Sequence, residues 1–121
     1  MKILIVEDNP KNLKLASGIL ARSGYSVISA EDGDSGLLMA RQERPDLILM
    51  DIQLPGMDGL TATKLLKGAP ETSHIKIIAL TAFAMKGDRE RMIAAGCDDY
   101  ISKPIRYKEF LATVASWLPK E

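Results

Sequence analysis

The sequence predicts an α/β fold built on a parallel sheet with helices on both faces, and three observations lead there. Five short runs rich in branched apolar residues have the length and composition of buried strands: Lys2–Val6, Tyr25–Ala30, Leu47–Met50, Lys76–Leu80 and Tyr100–Ser102. Each run is followed by a segment of helical periodicity, and strands joined by helical crossovers pair in parallel, with right-handed connections. Polar residues able to do chemistry stand at the carboxyl ends of four runs, which is where ligands sit in such sheets.

The elements follow in order. After the first run, Asn9 suits a helix cap and Pro10 its first turn. Leu13, Ala16 and Leu20 share one face of that helix, with Leu15 and Ile19 beside them, and Gly24 ends it. Asp32-Gly33-Asp34 reads as a turn and cap before a second helix from about Ser35 to Arg44, which Pro45 stops. Leu54-Pro55-Gly56 breaks the chain after the third strand. A third helix spans about Gly59 to Lys67, and Gly68 to His74 forms a polar loop. The fourth helix runs from Lys86 to Ala95, closed by Gly96. Pro104 ends the fifth strand, and the last helix covers about Tyr107 to Leu118.

The totals bound the function. A chain of 121 residues with 46% apolar content suits one folded domain over residues 1–121. Lys plus Arg number 16, as do Asp plus Glu, which argues against direct nucleic-acid binding through phosphate neutralisation. Cys97 is alone, so no internal disulfide or cysteine zinc site can form, and a cytoplasmic location is expected. No apolar run reaches membrane-spanning length, no signal peptide precedes the first strand, and Met1 reads as a natural start.

The chemistry is concentrated in five residues. Glu7 and Asp8 follow the first strand and Asp51 follows the third. If the first and third strands are parallel neighbours, these carboxylates converge at one edge of the sheet, where repulsion makes ionisation costly unless a hard cation such as Mg²⁺ joins them. Thr81 follows the fourth run and Lys103 the fifth. Each residue alone reads as a strand end or surface group; their common register makes the signal.

The segments Ile3-Leu-Ile-Val-Glu-Asp-Asn9, Leu49-Met-Asp-Ile-Gln-Leu-Pro-Gly-Met-Asp-Gly59, Ala79-Leu-Thr-Ala82 and Tyr100-Ile-Ser-Lys-Pro104 resemble the receiver domain of two-component response regulators. Thr81-Ala-Phe-Ala-Met-Lys-Gly-Asp88 and Ala95-Gly-Cys-Asp-Asp-Tyr100 are similar to two narrower groups, stand-alone receivers of the DivK type and receivers of hybrid histidine kinases, which motif does not separate. The resemblance implies a flavodoxin-like doubly wound (βα)5 fold with strand order 2-1-3-4-5. It implies Asp51 as phosphoacceptor, with Mg²⁺ held by Glu7, Asp8, Asp51 and the backbone carbonyl of Gln53. Lys103 would pair with phosphoryl oxygens, Thr81 would bond the phosphoryl group, and Tyr100 would be the aromatic switch. The Lys103–Pro104 bond is often cis in the family. The implied partners are a histidine kinase or histidine phosphotransfer protein, docking on the first helix near Asn12 and Lys14, and a downstream protein.

These roles have a physical basis. A carboxylate can attack phosphorus, but the two groups are both anionic, so transfer depends on positioning and charge neutralisation. The product adds roughly one to two negative charges and new acceptors, which can shift a two-state equilibrium. Phe83 is bulky and cannot orient a water, so slow self-hydrolysis of the phosphoryl group is expected. Phe83 and Met85 read equally as partner-surface or packing residues, Asp58 as a turn residue, His74 as a loop residue and Cys97 as a small buried residue. Trp117 reads as an anchor for the last helix.

Two other classes compete. An aspartate-nucleophile phosphatase of the haloacid dehalogenase type places a second aspartate two residues after the first, where this chain has Gln53. A phosphate-independent adaptor would have no need of the acidic and basic set. The favoured expectation is therefore a signalling switch in a phosphorelay, not an enzyme acting on other substrates.

Overall fold

A computed structural model describes residues 1–82 and 86–118. Among them, five strands form one parallel sheet in the order β2-β1-β3-β4-β5. The strands are β1 (Lys2–Val6), β2 (Ser26–Ala30), β3 (Leu47–Asp51), β4 (Lys76–Thr81) and β5 (Asp99–Ser102). They alternate with α1 (Pro10–Arg22), α2 (Gly33–Glu43), α3 (Gly59–Gly68), α4 (Lys86–Ala95) and α5 (Tyr107–Trp117). Phe83 and Met85 lie outside the described residues.

Strand alternation sends successive side chains to opposite faces, and both faces are covered. Ile3, Ile5, Leu47, Leu49, Ile78 and Leu80 pack with Leu20 of α1 and with Phe110 and Val114 of α5. Leu4, Val6, Ile48, Met50 and Ile77 pack on the other side with Leu37 of α2 and Leu66 of α3. Every residue of β3 is buried, as its unbroken apolar run requires of a central strand. Phe110 is completely buried, a contribution of about 2–3 kcal/mol from area alone.

Local chemistry sets the element ends. Asn9 Oδ1 accepts from the N–H of Lys11 at 2.9 Å and Asn12 at 3.2 Å. Asp32 caps α2 through Ser35 N–H, and Asp58 caps α3 through Thr61 N–H, so the Asp58 turn is a helix cap. Gly24 and Gly96 follow α1 and α4 at φ of 92° and 108°.

Several boundaries differ from the sequence reading. Tyr25 is not in β2; its N–H closes the end of α1 on Leu20 O at 3.2 Å. Helix α2 begins at Gly33 rather than Ser35 because Asp32 itself is the cap, and it stops before Arg44, which is left-handed at φ 44°. Gly68 belongs to α3, and β5 starts at Asp99. The turn after α3 is tied down by buried Thr72, whose hydroxyl donates to Leu66 O at 2.7 Å. His74 is exposed in that turn, and Cys97 is buried, its thiol pushed up by burial.

Asp98 joins two layers. One carboxylate oxygen accepts from Ile77 N–H and from Lys67 Nζ, both at 2.8 Å, and Lys67 also donates to Ile75 O. Asp98→Ala leaves the strand N–H and a half-buried ammonium without that acceptor. The expected cost is about 2 kcal/mol, read as a lower urea midpoint with an unchanged slope.

Candidate functional site

Register builds the site. Val6 pairs with Met50, so the next residues, Glu7 and Asp51, stand side by side at the carboxyl edge. Asp51 pairs with Leu80 and Thr81 with Ser102, which brings the ends of β4 and β5 to the same edge. The N–H of Lys103 donates to Thr81 O at 2.7 Å, fixing where the lysine leaves the sheet. The Lys103–Pro104 bond is cis.

The side chains converge. Lys103 Nζ donates to Asp51 Oδ2 at 3.1 Å and to Glu7 Oε1 at 3.0 Å. The other Asp51 oxygen accepts from Gln53 N–H at 2.9 Å. Glu7, Asp8 and Asp51 each offer an oxygen within 4.8 Å of the others. Asp8 is exposed, whereas Glu7, Asp51 and Thr81 are buried. Gly59, at the first position of α3, lies against the Asp51 carbonyl and Ile52 Cα. That support was missed in the sequence, although an Asp-Gly pair opening a helix is a signal for close backbone approach.

Electrostatics separates the carboxylates. Burial, reinforced by Asp51, pushes Glu7 up to about 7. Burial also opposes ionisation of Asp51, but the neighbouring Glu7 and its bonds with Gln53 N–H and Lys103 outweigh it and hold the group below the usual carboxylate range. Burial opposes the charge on Lys103, and the two carboxylates more than compensate, raising it. Asp51 is therefore a readily ionised carboxylate facing an ammonium.

The residues fit a hard divalent cation. Glu7 Oε2 is buried with no hydrogen-bond partner among the described residues, and buried polar atoms are rarely left so. One ammonium does not balance three carboxylates, and an oxygen-only donor set suits Mg²⁺.

Tyr100 sits beside this edge on β5. It is half-buried, packed near Ala79, Met92 and Cys97, and the Arg89 guanidinium lies over its ring at 5.2 Å from the centroid. Trp117 anchors α5: its indole N–H donates to Asp99 Oδ2 at 2.8 Å.

The model of the response regulator receiver domain matches residues 3–115. The chain belongs to that family. Over 116 residues this receiver is 53% identical to the polar-differentiation response regulator DivK of Brucella anthropi, covering 96% of this chain and 94% of the relative. Among solved structures it is similar to the receiver domain of a sensor histidine kinase from Pseudomonas aeruginosa, with a TM-score of 0.89 and 40% identity over 96% of this chain and 95% of that one. That structure has a magnesium ion coordinated in its active-site cleft. The chemotaxis protein CheY4 of Vibrio cholerae superposes with a TM-score of 0.92 at 27% identity, covering 97% of this chain and 98% of that one. The five-stranded order and alternating helices of this receiver are those that the sequence led us to expect. No helix among the described residues is long and apolar enough to cross a membrane.

Proposed function

We propose that this receiver is a phosphorylation-driven switch in which Asp51 accepts a phosphoryl group from a phosphohistidine on a sensor kinase or phosphotransfer protein. The observation that carries the proposal is the ionised Asp51 carboxylate, 3.1 Å from Lys103 Nζ and beside two further carboxylates at the sheet edge. An Asp51 oxygen attacks phosphorus, the P–N bond to the donor imidazole breaks, and the nitrogen keeps the electron pair and takes up a proton. Lys103 then pairs with the phosphoryl oxygens instead of the bare carboxylate, so its charge is used where negative charge accumulates. Glu7, Asp8, Asp51 and the Gln53 carbonyl would hold Mg²⁺, which supplies further charge neutralisation when bound. The magnesium in the active-site cleft of the Pseudomonas receiver supports a divalent cation at this edge.

Thr81, buried at the end of β4, provides the hydroxyl that the new acceptor attracts, and Tyr100 turns inward as Thr81 moves. The surface of α4, β5 and α5 then changes its preference for a downstream protein. The donor protein docks on the outer face of α1, where Lys14 and Leu15 are exposed. The domain assists its own phosphorylation and dephosphorylation but turns over no other substrate, and it acts in the cytoplasm.

The test is incubation with a small phosphodonor plus Mg²⁺, read by intact mass. Wild type gains one phosphoryl group, Asp51→Asn gains far less, and a chelator suppresses the gain. Equal labelling of Asp51→Asn, or none of wild type, would overturn the assignment.

A further inference from the structure

We propose that Arg89 of α4 is a latch that holds the Tyr100 ring in the half-buried orientation it has here and so restrains its inward turn; this rests on the reading of Tyr100 as the switch. Three features of the structure combine. First, the backbone at Tyr100 is pinned. Asp99 Oδ1 accepts the Tyr100 N–H at 2.8 Å, and Asp99 Oδ2 accepts the Trp117 indole N–H at 2.8 Å. One carboxylate thus ties the start of β5 to the last turn of α5, and the strand has little freedom to shift. What remains free to move at this position is the ring.

Second, the strand residue beside the ring is small. Tyr100 pairs with Ala79, and strand alternation puts Ala79 and Thr81 on one face of the sheet. Ala79 is small, so the neighbour between the ring and the end of β4 presents no bulk. Third, the ring has a reason to stay. The Arg89 guanidinium lies 5.2 Å from its centroid, within the range at which a cation is attracted to the negative face of an aromatic ring. Arg89 is exposed, so its guanidinium keeps its solvation on the outer side. An inward rotation carries the ring away from Arg89 and loses this contact. The contact therefore favours only the orientation seen here, which is what differential stabilisation of one conformer requires.

Arg89 is a positioning residue: it touches neither phosphorus nor a carboxylate of the site. Attraction of this kind at an exposed position corresponds to a bias of roughly 2- to 5-fold between orientations. With the competent state the minor one, as a latch requires, its population, and with it the rate of self-phosphorylation, rises by the same factor when the bias is removed.

The experiment measures the initial rate of Asp51 phosphorylation by a small phosphodonor at saturating Mg²⁺ for wild type, Arg89→Ala, Arg89→Lys, Tyr100→Leu and the double variant Arg89→Ala/Tyr100→Leu. The latch requires a rate about 2- to 5-fold higher for Arg89→Ala, a smaller change for Arg89→Lys, and no effect of Arg89→Ala once the ring is gone. In wild type, the latch requires NMR to find the Arg89 δ-methylene protons shifted upfield by the ring current before phosphorylation and not afterwards. An unchanged rate for Arg89→Ala overturns the latch. So does an equal increase in the Tyr100→Leu background, which would mark a general charge effect. If Tyr100→Leu also leaves rate and partner binding untouched, the switch reading of Tyr100 falls too; if Tyr100→Leu has an effect and Arg89→Ala has none, only the latch falls.

Discussion

Gly59→Ala is expected to destabilise the fold by about 3 kcal/mol or more and to impair phosphorylation of whatever protein still folds. The added methyl would collide with the Asp51 carbonyl and come within 2.7 Å of Ile52 Cα. These are backbone atoms, so no rotamer change relieves the clash. Helix α3 must move off β3, or the end of β3 must bend, and the Gly59 N–H contact to Ile52 O at 3.4 Å is lost either way. Bending β3 displaces Asp51 from Lys103, and small misplacements of reacting groups cost large factors in rate. Gly18→Ala is the contrasting substitution. Gly18 lies in the middle of α1, and a methyl group there would meet no neighbouring atom within 4 Å, so alanine should stabilise by about 0.5–1 kcal/mol. Urea unfolding of both variants checks the pair. A Gly59→Ala protein as stable as wild type would show that α3 does not press on the acceptor strand.

Glu7→Gln should stabilise the metal-free protein at pH 8 while abolishing its stabilisation by Mg²⁺. Glu7 has an ordinary value of 4.5 and is pushed up to about 7 in the fold, first by burial and then by Asp51. Between those values the folded state binds a proton that the unfolded state has released. Stability of the metal-free protein therefore falls as pH rises from about 4.5 to about 7, and then levels off. The loss is on the order of 3 kcal/mol at most. Asp51 is shifted the other way, so its contribution is present above its ordinary value of 3.8 and is lost only as pH falls below that. The two windows do not overlap. Glutamine carries no charge at any pH, which removes the fall through the Glu7 window and leaves the fold more stable at pH 8 by about 1–3 kcal/mol. It also deprives a hard cation of an anionic ligand, so the increase in unfolding midpoint with added Mg²⁺ should vanish. Urea titrations from pH 4 to 8, with and without Mg²⁺, provide the check. A Glu7→Gln protein less stable than wild type at pH 8 without metal would mean that the Lys103 ion pair outweighs burial.

Much of this protein is legible in its amino-acid order. The strands are legible because unbroken runs such as Leu47-Ile-Leu-Met50 suit only a strand buried on both faces. The caps are legible because Asn9 and Asp32 bond nearby backbone N–H groups, a local matter of a few residues. Boundaries moved where two signals overlap: Tyr25 is a good strand residue, but its N–H is taken by the end of α1. Gly33 and Asp34 resemble a turn until Asp32 is recognised as the cap.

The site divides along the same line. Residue type and position after each strand sufficed to nominate Glu7, Asp8, Asp51, Thr81 and Lys103, because a parallel sheet sends all its strand ends to one edge. Their ionisation was not legible, since it depends on burial and on distances between groups as far apart in the chain as Glu7 and Lys103. Nothing local marks Arg89 as a partner of Tyr100, or Asp99 as the tie between β5 and Trp117, because these contacts arise only when separate elements pack together. The sequence by itself determined the alternation of strands and helices and the sheet edge at which the five candidate residues gather, through periodicity and short-range hydrogen bonding. Only the tertiary structure decided which carboxyl ionises less readily, which backbone leaves no room for a methyl group and which cation lies over the aromatic ring, because those depend on distances of a few ångströms between residues remote in sequence.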